Sequence, residues 1–293
     1  MEHRGIWGAL TARPERRFPA YGGVAPVGNG VVHFLSDGTP GDLPVVLLHG
    51  ASGNLRDFAM TLMPRLSRRH RVIALDRPGF GHSTPVRRGA TLAGQTAVLR
   101  AALTRLGVGR CILVGHSYGG ALALHWTLAH MEEVAGLVLV SAPALDWGGA
   151  LGGLYRFTSH PVMRHILSHV ASAAPERLIA GTLREIFDPE PVPPGYRAAL
   201  GVELALRPRT FRTNAASMRG LHAEIVAMMP GYGRIARPVE IVHGDMDRVV
   251  PAEIHALPLV QAIPGARLTL LEGAGHMPHH TRPADIRPGA EAS

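Results

Sequence analysis

Three residues in this chain are suited by type and setting to acyl-transfer chemistry. Ser117 stands between glycines in Gly115-His116-Ser117-Tyr118-Gly119-Gly120. A serine hydroxyl is a poor nucleophile at neutral pH. It needs a histidine to take its proton, and that histidine needs a carboxylate to fix its tautomer and stabilise the imidazolium. His276 follows a glycine in Glu272-Gly273-Ala274-Gly275-His276-Met277-Pro278, and Asp247 lies in His243-Gly244-Asp245-Met246-Asp247-Arg248. Asp245, two residues away, can point the same way on an extended loop, and Asp146 follows another apolar run, so the residues alone leave the acid open. His279 and His280 lack a preceding glycine turn and read as solvated loop histidines. His165 and His169 have the i,i+4 spacing of a metal pair. No third ligand accompanies them at fixed spacing, so they read as an ordinary helix face, and no metal or cofactor is expected. Asp76 and Ser83 are expected to shape their loop and cap the helix that follows it. His82 reads either as facing substrate or as part of a surface turn.

These side chains have to be positioned by regular elements. Cys111-Ile112-Leu113-Val114 reads as a buried strand, and Ala121 to Trp126 reads as an apolar helix directly after the glycine turn. The glycines at 115 and 119 are expected because side chains there would collide with the neighbouring strand and helix. Strands are also predicted at Val31–Leu35, Pro44–Leu48, Arg71–Asp76, Gly136–Val140, Pro238–Val242 and Ala266–Leu271. Helices are predicted at Leu55–Leu66, Thr91–Leu106 and Ala252–Ile263. Residues 1–28 read as a surface arm. From 144 to 237 the strand–helix rhythm stops, and helical fragments are separated by prolines. The implied organisation is a first core half over 1–143, a helical insertion over 144–237 and a second core half over 238–293, built on a parallel α/β sheet. Asp247 and His276 follow separate strands at their C-terminal ends, where open α/β sheets place ligands.

Composition narrows the classes. The chain has 293 residues, 46% hydrophobic and 18% charged, which suits a globular fold with a large core. The formal net charge is +8, but there is no lysine, and the arginines are scattered apart from short groups such as Arg68-Arg69 and Arg87-Arg88. That pattern reads as coding bias, not a basic patch, so no nucleic-acid partner is expected. No apolar run is long enough to span a bilayer. The single cysteine, Cys111, fits a reducing compartment, and no apolar stretch follows Met1–Arg4, so a cytoplasmic location is expected. The sequence leaves the oligomeric state open.

The chain resembles the α/β-hydrolase family, in particular its bacterial esterases and related hydrolases with a helical cap. The resemblance rests on His49-Gly50, Asp76 through Ser83, the Gly115–Gly119 elbow, the Gly244-x-x-Asp247 loop and Gly275-His276. It implies an α/β-hydrolase fold with a helical cap after the sixth strand, and it favours Asp247 as the acid in the order Ser117, Asp247, His276. It also implies an oxyanion hole made by the backbone N–H groups of Ala51 and Tyr118. The chain departs from the family after His276, where the family continues into a long helix; Thr281 to Pro288 is too broken by proline for one. The expected activity is that of a serine carboxylesterase acting on small to medium acyl esters, with Phe211, Met218, Leu221 and Met228 lining an acyl pocket. Alternatives on the same residues are a lactonase, a carbon–carbon bond hydrolase and a perhydrolase or acyltransferase. A slow-turnover receptor on the same scaffold is the non-enzymatic alternative.

Overall fold

The computed structural model describes residues 13–39, 43–149 and 161–288. Eight strands form one sheet. They are β1 (Gly23–Val27), β2 (Gly30–Asp37), β3 (Val45–Leu48), β4 (Val72–Leu75), β5 (Cys111–His116), β6 (Val134–Val140), β7 (Val239–Gly244) and β8 (Arg267–Leu271). Their spatial order is β1-β2-β4-β3-β5-β6-β7-β8. The β1–β2 and β2–β4 pairings are antiparallel and all others are parallel. This is the mostly parallel sheet that the motifs imply.

The central strands are continuous apolar runs because both of their faces are covered. Val46, Leu48, Ile73, Leu75 and Leu113 point into one hydrophobic cluster. Their neighbours Val45, Leu47, Val72, Ala74, Ile112 and Val114 point into another, on the opposite face. The two-residue period of the strands thus divides one apolar run between two cores.

Helices flank the sheet. In chain order they are α1 (Arg13–Arg17), α2 (Arg56–Ala59), α3 (Leu62–Leu66), α4 (Leu92–Arg105) and α5 (Tyr118–Ala129). After β6 come α6 (Pro161–Ser172), α7 (Glu176–Phe187), α8 (Tyr196–Leu200), α9 (Val202–Ala205) and the 21-residue α10 (Pro208–Met228). Then come α11 (Ala256–Ala262) and α12 (Pro278–Thr281). The described residues between β6 and β7 contain no strand, so a helical insertion follows the sixth strand. Its inner helix, α10, contributes Leu221, Ile225 and Met228 to the main core.

Several local expectations are corrected. The segment read as an arm contains α1 and the edge strand β1, whose Val24 is exposed; residues 1–12 lie outside the described residues. The helix expected over Leu55–Leu66 is two short ones, because Pro64 has no N–H to bond to the carbonyl of Met60 and stands in a new first turn. The helix expected from Ala252 starts at Ala256 for the same reason, with Pro258 in its first turn. Asp76 and Ser83 cap no following helix. Thr91 does that, its Oγ1 accepting from the Gly94 N–H at 3.1 Å.

After His276 the described chain makes only α12 and a 3₁₀ turn at Pro283–Asp285, as the prolines imply. Ile286 then returns and buries itself against the α2–α3 core. The edge strand β8 keeps Leu270 45% exposed on a sheet side left partly open.

Candidate active site

The turn between β5 and α5 carries Ser117 at φ 51°, ψ −121°, a backbone conformation L-residues rarely adopt. Close packing enforces it. A Cβ on Gly115 would lie 2.3 Å from the Gly119 carbonyl oxygen, and one on Gly119 would lie 1.9 Å from that of Leu48. The Ser117 N–H is tied to the Val140 carbonyl at 2.8 Å. Ser117 is half-buried while the elbow residues on either side of it are buried, so its hydroxyl stands clear of the sheet.

His276, on the loop after β8, places Nε2 3.0 Å from Ser117 Oγ. Its Nδ1 lies 2.8 Å from Asp247 Oδ2. A carboxylate only accepts, so Nδ1 carries the proton and Nε2 is free to accept from the serine hydroxyl. Asp247 is held in turn: its Oδ1 accepts from the N–H groups of Val249 and Val250 at 2.9 and 2.8 Å. His243 Nε2 lies 3.4 Å from Oδ2 and donates to the Val250 carbonyl at 2.7 Å. Burial works against the Asp247 charge, but His276, His243 and the Val250 N–H outweigh it and hold the carboxyl well below the usual range. The loops meet because Gly244 allows it; a Cβ there would lie 2.2 Å from the Ala274 carbonyl oxygen.

The competing acids are turned elsewhere. Asp245 is exposed and accepts from the Gly273 N–H at 2.8 Å. Asp146 accepts from His222 at 2.7 Å and from the Gly148 N–H.

The turn after β3 passes beside Ser117: a Cβ on Gly50 would lie 3.2 Å from the Ser117 Cβ. That brings Ala51 to the elbow. Tyr118 is the first residue of α5, so its N–H has no acceptor within the helix. From α10, Asn214 accepts from the Ser52 N–H at 3.1 Å and donates to the Ser52 hydroxyl at 3.0 Å. Phe211 and Met218 stand three and four residues from Asn214, on the same helix face, and are half-buried. Leu221 and Met228, also expected to line a pocket, are buried in the main core.

The histidines after His276 are not solvated, which corrects the sequence expectation. His279 and His280 are buried and donate to Asp57 at 3.2 and 2.9 Å, joined by the Tyr196 hydroxyl at 2.9 Å. A charge buried in α2 recruits them, and loop composition cannot reveal that. His116, the second residue of the elbow, donates from Nε2 to the His276 carbonyl at 2.9 Å. Asp57, His116 and His279 come close enough to suggest a metal site. Both oxygens of Asp57 are already taken by its three donors, while Nδ1 of His116 and Nδ1 of His279 are buried without a hydrogen-bond partner. His165 and His169 touch each other edge to face and belong to no such group among the described residues. His82 Nε2 meets the Phe18 carbonyl at 3.0 Å, which makes it part of the packing of the N-terminal segment. Asp76 accepts from the N–H groups of Leu55 and His82 and from His33, so it does shape its loop. Among the described residues, no helix is long and apolar enough to cross a membrane.

Comparison with known proteins agrees with the fold. The model of the family described as alpha/beta hydrolase fold matches residues 44–283. The 2-hydroxy-6-oxo-2,4-heptadienoate hydrolase of Pseudomonas putida is 31% identical over 240 residues, covering 80% of this chain and 82% of that protein. Among solved structures, the 2-hydroxy-6-oxo-6-phenylhexa-2,4-dienoate hydrolase of a Rhodococcus species superposes with a TM-score of 0.73 at 23% identity, covering 88% of this chain and 92% of that one. A thermophilic esterase from Thermogutta terrifontis superposes with a TM-score of 0.71 at 21% identity, covering 90% and 93%.

Proposed function

The chain belongs to the alpha/beta hydrolase fold family, and on that premise we propose that it is a serine hydrolase whose working residues are Ser117, His276 and Asp247. The observation that carries this is the unbroken hydrogen-bond relay from Asp247 through His276 to the hydroxyl at the elbow. Ser117 Oγ attacks the substrate carbonyl as His276 Nε2 takes its proton. Asp247 stabilises the imidazolium and holds its orientation. The carbonyl oxygen becomes an oxyanion between the N–H groups of Ala51 and Tyr118. His276 then protonates the leaving group, and the acyl group stays on Ser117. Water, deprotonated by His276, releases it.

The preferred substrate class is a small to medium acyl ester. Phe211 and Met218 on α10 flank the Asn214–Ser52 contact and offer an apolar wall for the acyl chain, with the helical insertion as the cap. The second reading is hydrolysis of a 2-hydroxy-6-oxo-dienoate, favoured by the names of the relatives. Such a substrate has no ester, so water must cleave a carbon–carbon bond, and it carries a carboxylate to be recognised. A panel of p-nitrophenyl esters of graded length, an enol lactone and a 2-hydroxy-6-oxo-dienoate tests the choice. The expected result is highest kcat/KM on a short or medium ester. Highest kcat/KM on the dienoate would replace this reading with the second.

A further inference from the structure

Arg77 leaves the loop after β4 and is fully buried. Among the described residues no carboxylate lies within ion-pairing distance of its guanidinium, and the oxygens of the adjacent Asp76 are taken by Leu55, His82 and His33. A buried cation without a counter-ion costs several kcal/mol. Its position shows what it does instead. Nη2 donates to the Gly50 carbonyl at 2.9 Å and Nη1 to Gln95 Oε1 at 3.1 Å. The guanidinium carbon lies 4.1 Å from the Phe80 ring centre on one side and 4.2 Å from the Tyr118 ring centre on the other. Gln95 closes the arrangement by donating to the Tyr118 hydroxyl at 2.9 Å.

The Gly50 carbonyl belongs to the same rigid peptide plane as the Ala51 N–H. It has a second donor. The Arg77 backbone N–H donates to His49 Nε2 at 3.1 Å, which outweighs the longer 3.5 Å approach of Arg77 Nε to Nδ1; the His49 proton therefore sits on Nδ1, which donates to the Gly50 carbonyl at 2.9 Å. Burial and the Arg77 charge push His49 down to about 3, which keeps it neutral. Burial also lowers Arg77, to about 10, which leaves it charged at neutral pH. One carbonyl therefore accepts from a neutral imidazole and a full cation at once. Hydrogen bonds to an amide oxygen polarise the amide and strengthen its N–H as a donor, by about 10–30% for each bond.

We infer that Arg77 is a positioning residue for the oxyanion hole: it fixes and polarises the Gly50–Ala51 peptide whose N–H is one oxyanion donor, and it supports the ring of Tyr118, whose N–H is the other. This rests on the serine-hydrolase reading above. The cation touches no substrate. Its charge lies behind the donors, buried from solvent, where preorganised charge acts most strongly on a developing oxyanion.

The experiment compares the parent with Arg77→Gln and Gln95→Glu. It measures kcat and KM on p-nitrophenyl acetate, Ki for a trifluoromethyl ketone, Ki for the matching methyl ketone, and Tm. The trifluoromethyl ketone adds to the serine as an oxyanion, whereas the methyl ketone binds mainly as a neutral carbonyl. For Arg77→Gln, kcat falls about 10- to 100-fold with KM within about 3-fold. The trifluoromethyl ketone weakens in the same proportion and the methyl ketone hardly at all. Gln95→Glu leaves Arg77 in place but sets a carboxylate against its charge, and kcat falls about 10-fold. Equal weakening of both ketones in a folded Arg77→Gln protein means general damage to the site and overturns the inference. If Arg77→Gln does not fold, unchanged kcat in Gln95→Glu overturns it. A parent that neither turns over the ester nor binds the trifluoromethyl ketone removes the hydrolase reading itself.

Discussion

Nε2 of His276 lies 3.0 Å from Oγ of Ser117, although 159 residues separate them in the chain. Two strand ends and one glycine contact close that gap. β5 delivers the serine, β8 delivers the histidine, and Gly244 lets the loop after β7 pass against residues 274 and 275. The same contact sets Asp247 behind the imidazole.

The acid is therefore testable by substitution at three carboxylates. Asp247→Asn is expected to lower kcat on a p-nitrophenyl ester by about 10³- to 10⁴-fold, because the amide favours the wrong imidazole tautomer. Asp245→Asn and Asp146→Asn are expected to change it less than about 3-fold, since Asp245 binds the Gly273 N–H and Asp146 binds His222. A large loss at Asp146 would move the acid to the end of β6.

The cap reading makes a specificity prediction. Met218→Trp adds bulk on the α10 face that also carries Asn214 and Phe211. The preferred acyl chain should shorten, by about 10-fold in the ratio of kcat/KM for octanoate to acetate, while acetate hydrolysis survives. An unchanged ratio would place that face away from the acyl chain.

Acid stability follows from the buried neutral histidines. Burial first, and the Arg77 charge second, lower His49 to about 3; burial also lowers His116, with His279 and His276 adding to it. Their folded pKa values lie below the ordinary value near 6.5, so the unfolded chain takes up protons first as the pH falls. No protonation penalty acts above about pH 6.5, and stability declines as the pH falls from there towards the folded pKa, about 3 for His49. For His49 alone the loss between pH 6.5 and 5 is about 2 kcal/mol. Urea unfolding at pH 7.5, 6.5, 5.5 and 5 should show a steady fall beginning before carboxylates titrate. A flat profile to pH 5 would contradict it.

Asp57 anchors His279, His280 and Tyr196 directly after the His276 loop. Asp57→Ala strands three buried donors and is expected to cost about 3–5 kcal/mol in urea unfolding. Loss below about 1 kcal/mol would mean that water replaces the carboxylate without penalty.

Much of this arrangement was legible in the sequence because it depends on local patterns. Apolar runs such as Val45–Leu48 and Val72–Leu75 announce two-sided burial, and Gly115 and Gly119 announce close approach at the elbow. The turn-forming Gly244 and the preference for Asp247 over Asp245 came through family resemblance, since two aspartates two residues apart look alike to periodicity. What was missed is long-range or subtle. β1 carries Pro26 and exposed Val24 at a sheet edge, which hides its strand character. The broken helices turn on single prolines at 64 and 258. His279 and His280 look like loop residues until Asp57, more than 200 residues earlier, is folded against them. Nothing in the sequence around Arg77 marks it out; only the fold puts its guanidinium on the Gly50 carbonyl.

The most direct test of the central reading is covalent labelling at the elbow. The parent and Ser117→Ala are each incubated with a fluorophosphonate probe, digested and mapped by mass spectrometry, and both are assayed on the preferred ester. The account predicts one adduct per chain, on Ser117. It predicts no adduct in Ser117→Ala, with turnover lower by about 10⁴-fold or more and the melting curve that of a folded protein. Stoichiometric labelling at another residue, or an alanine variant that hydrolyses the ester at the parent rate, would contradict it.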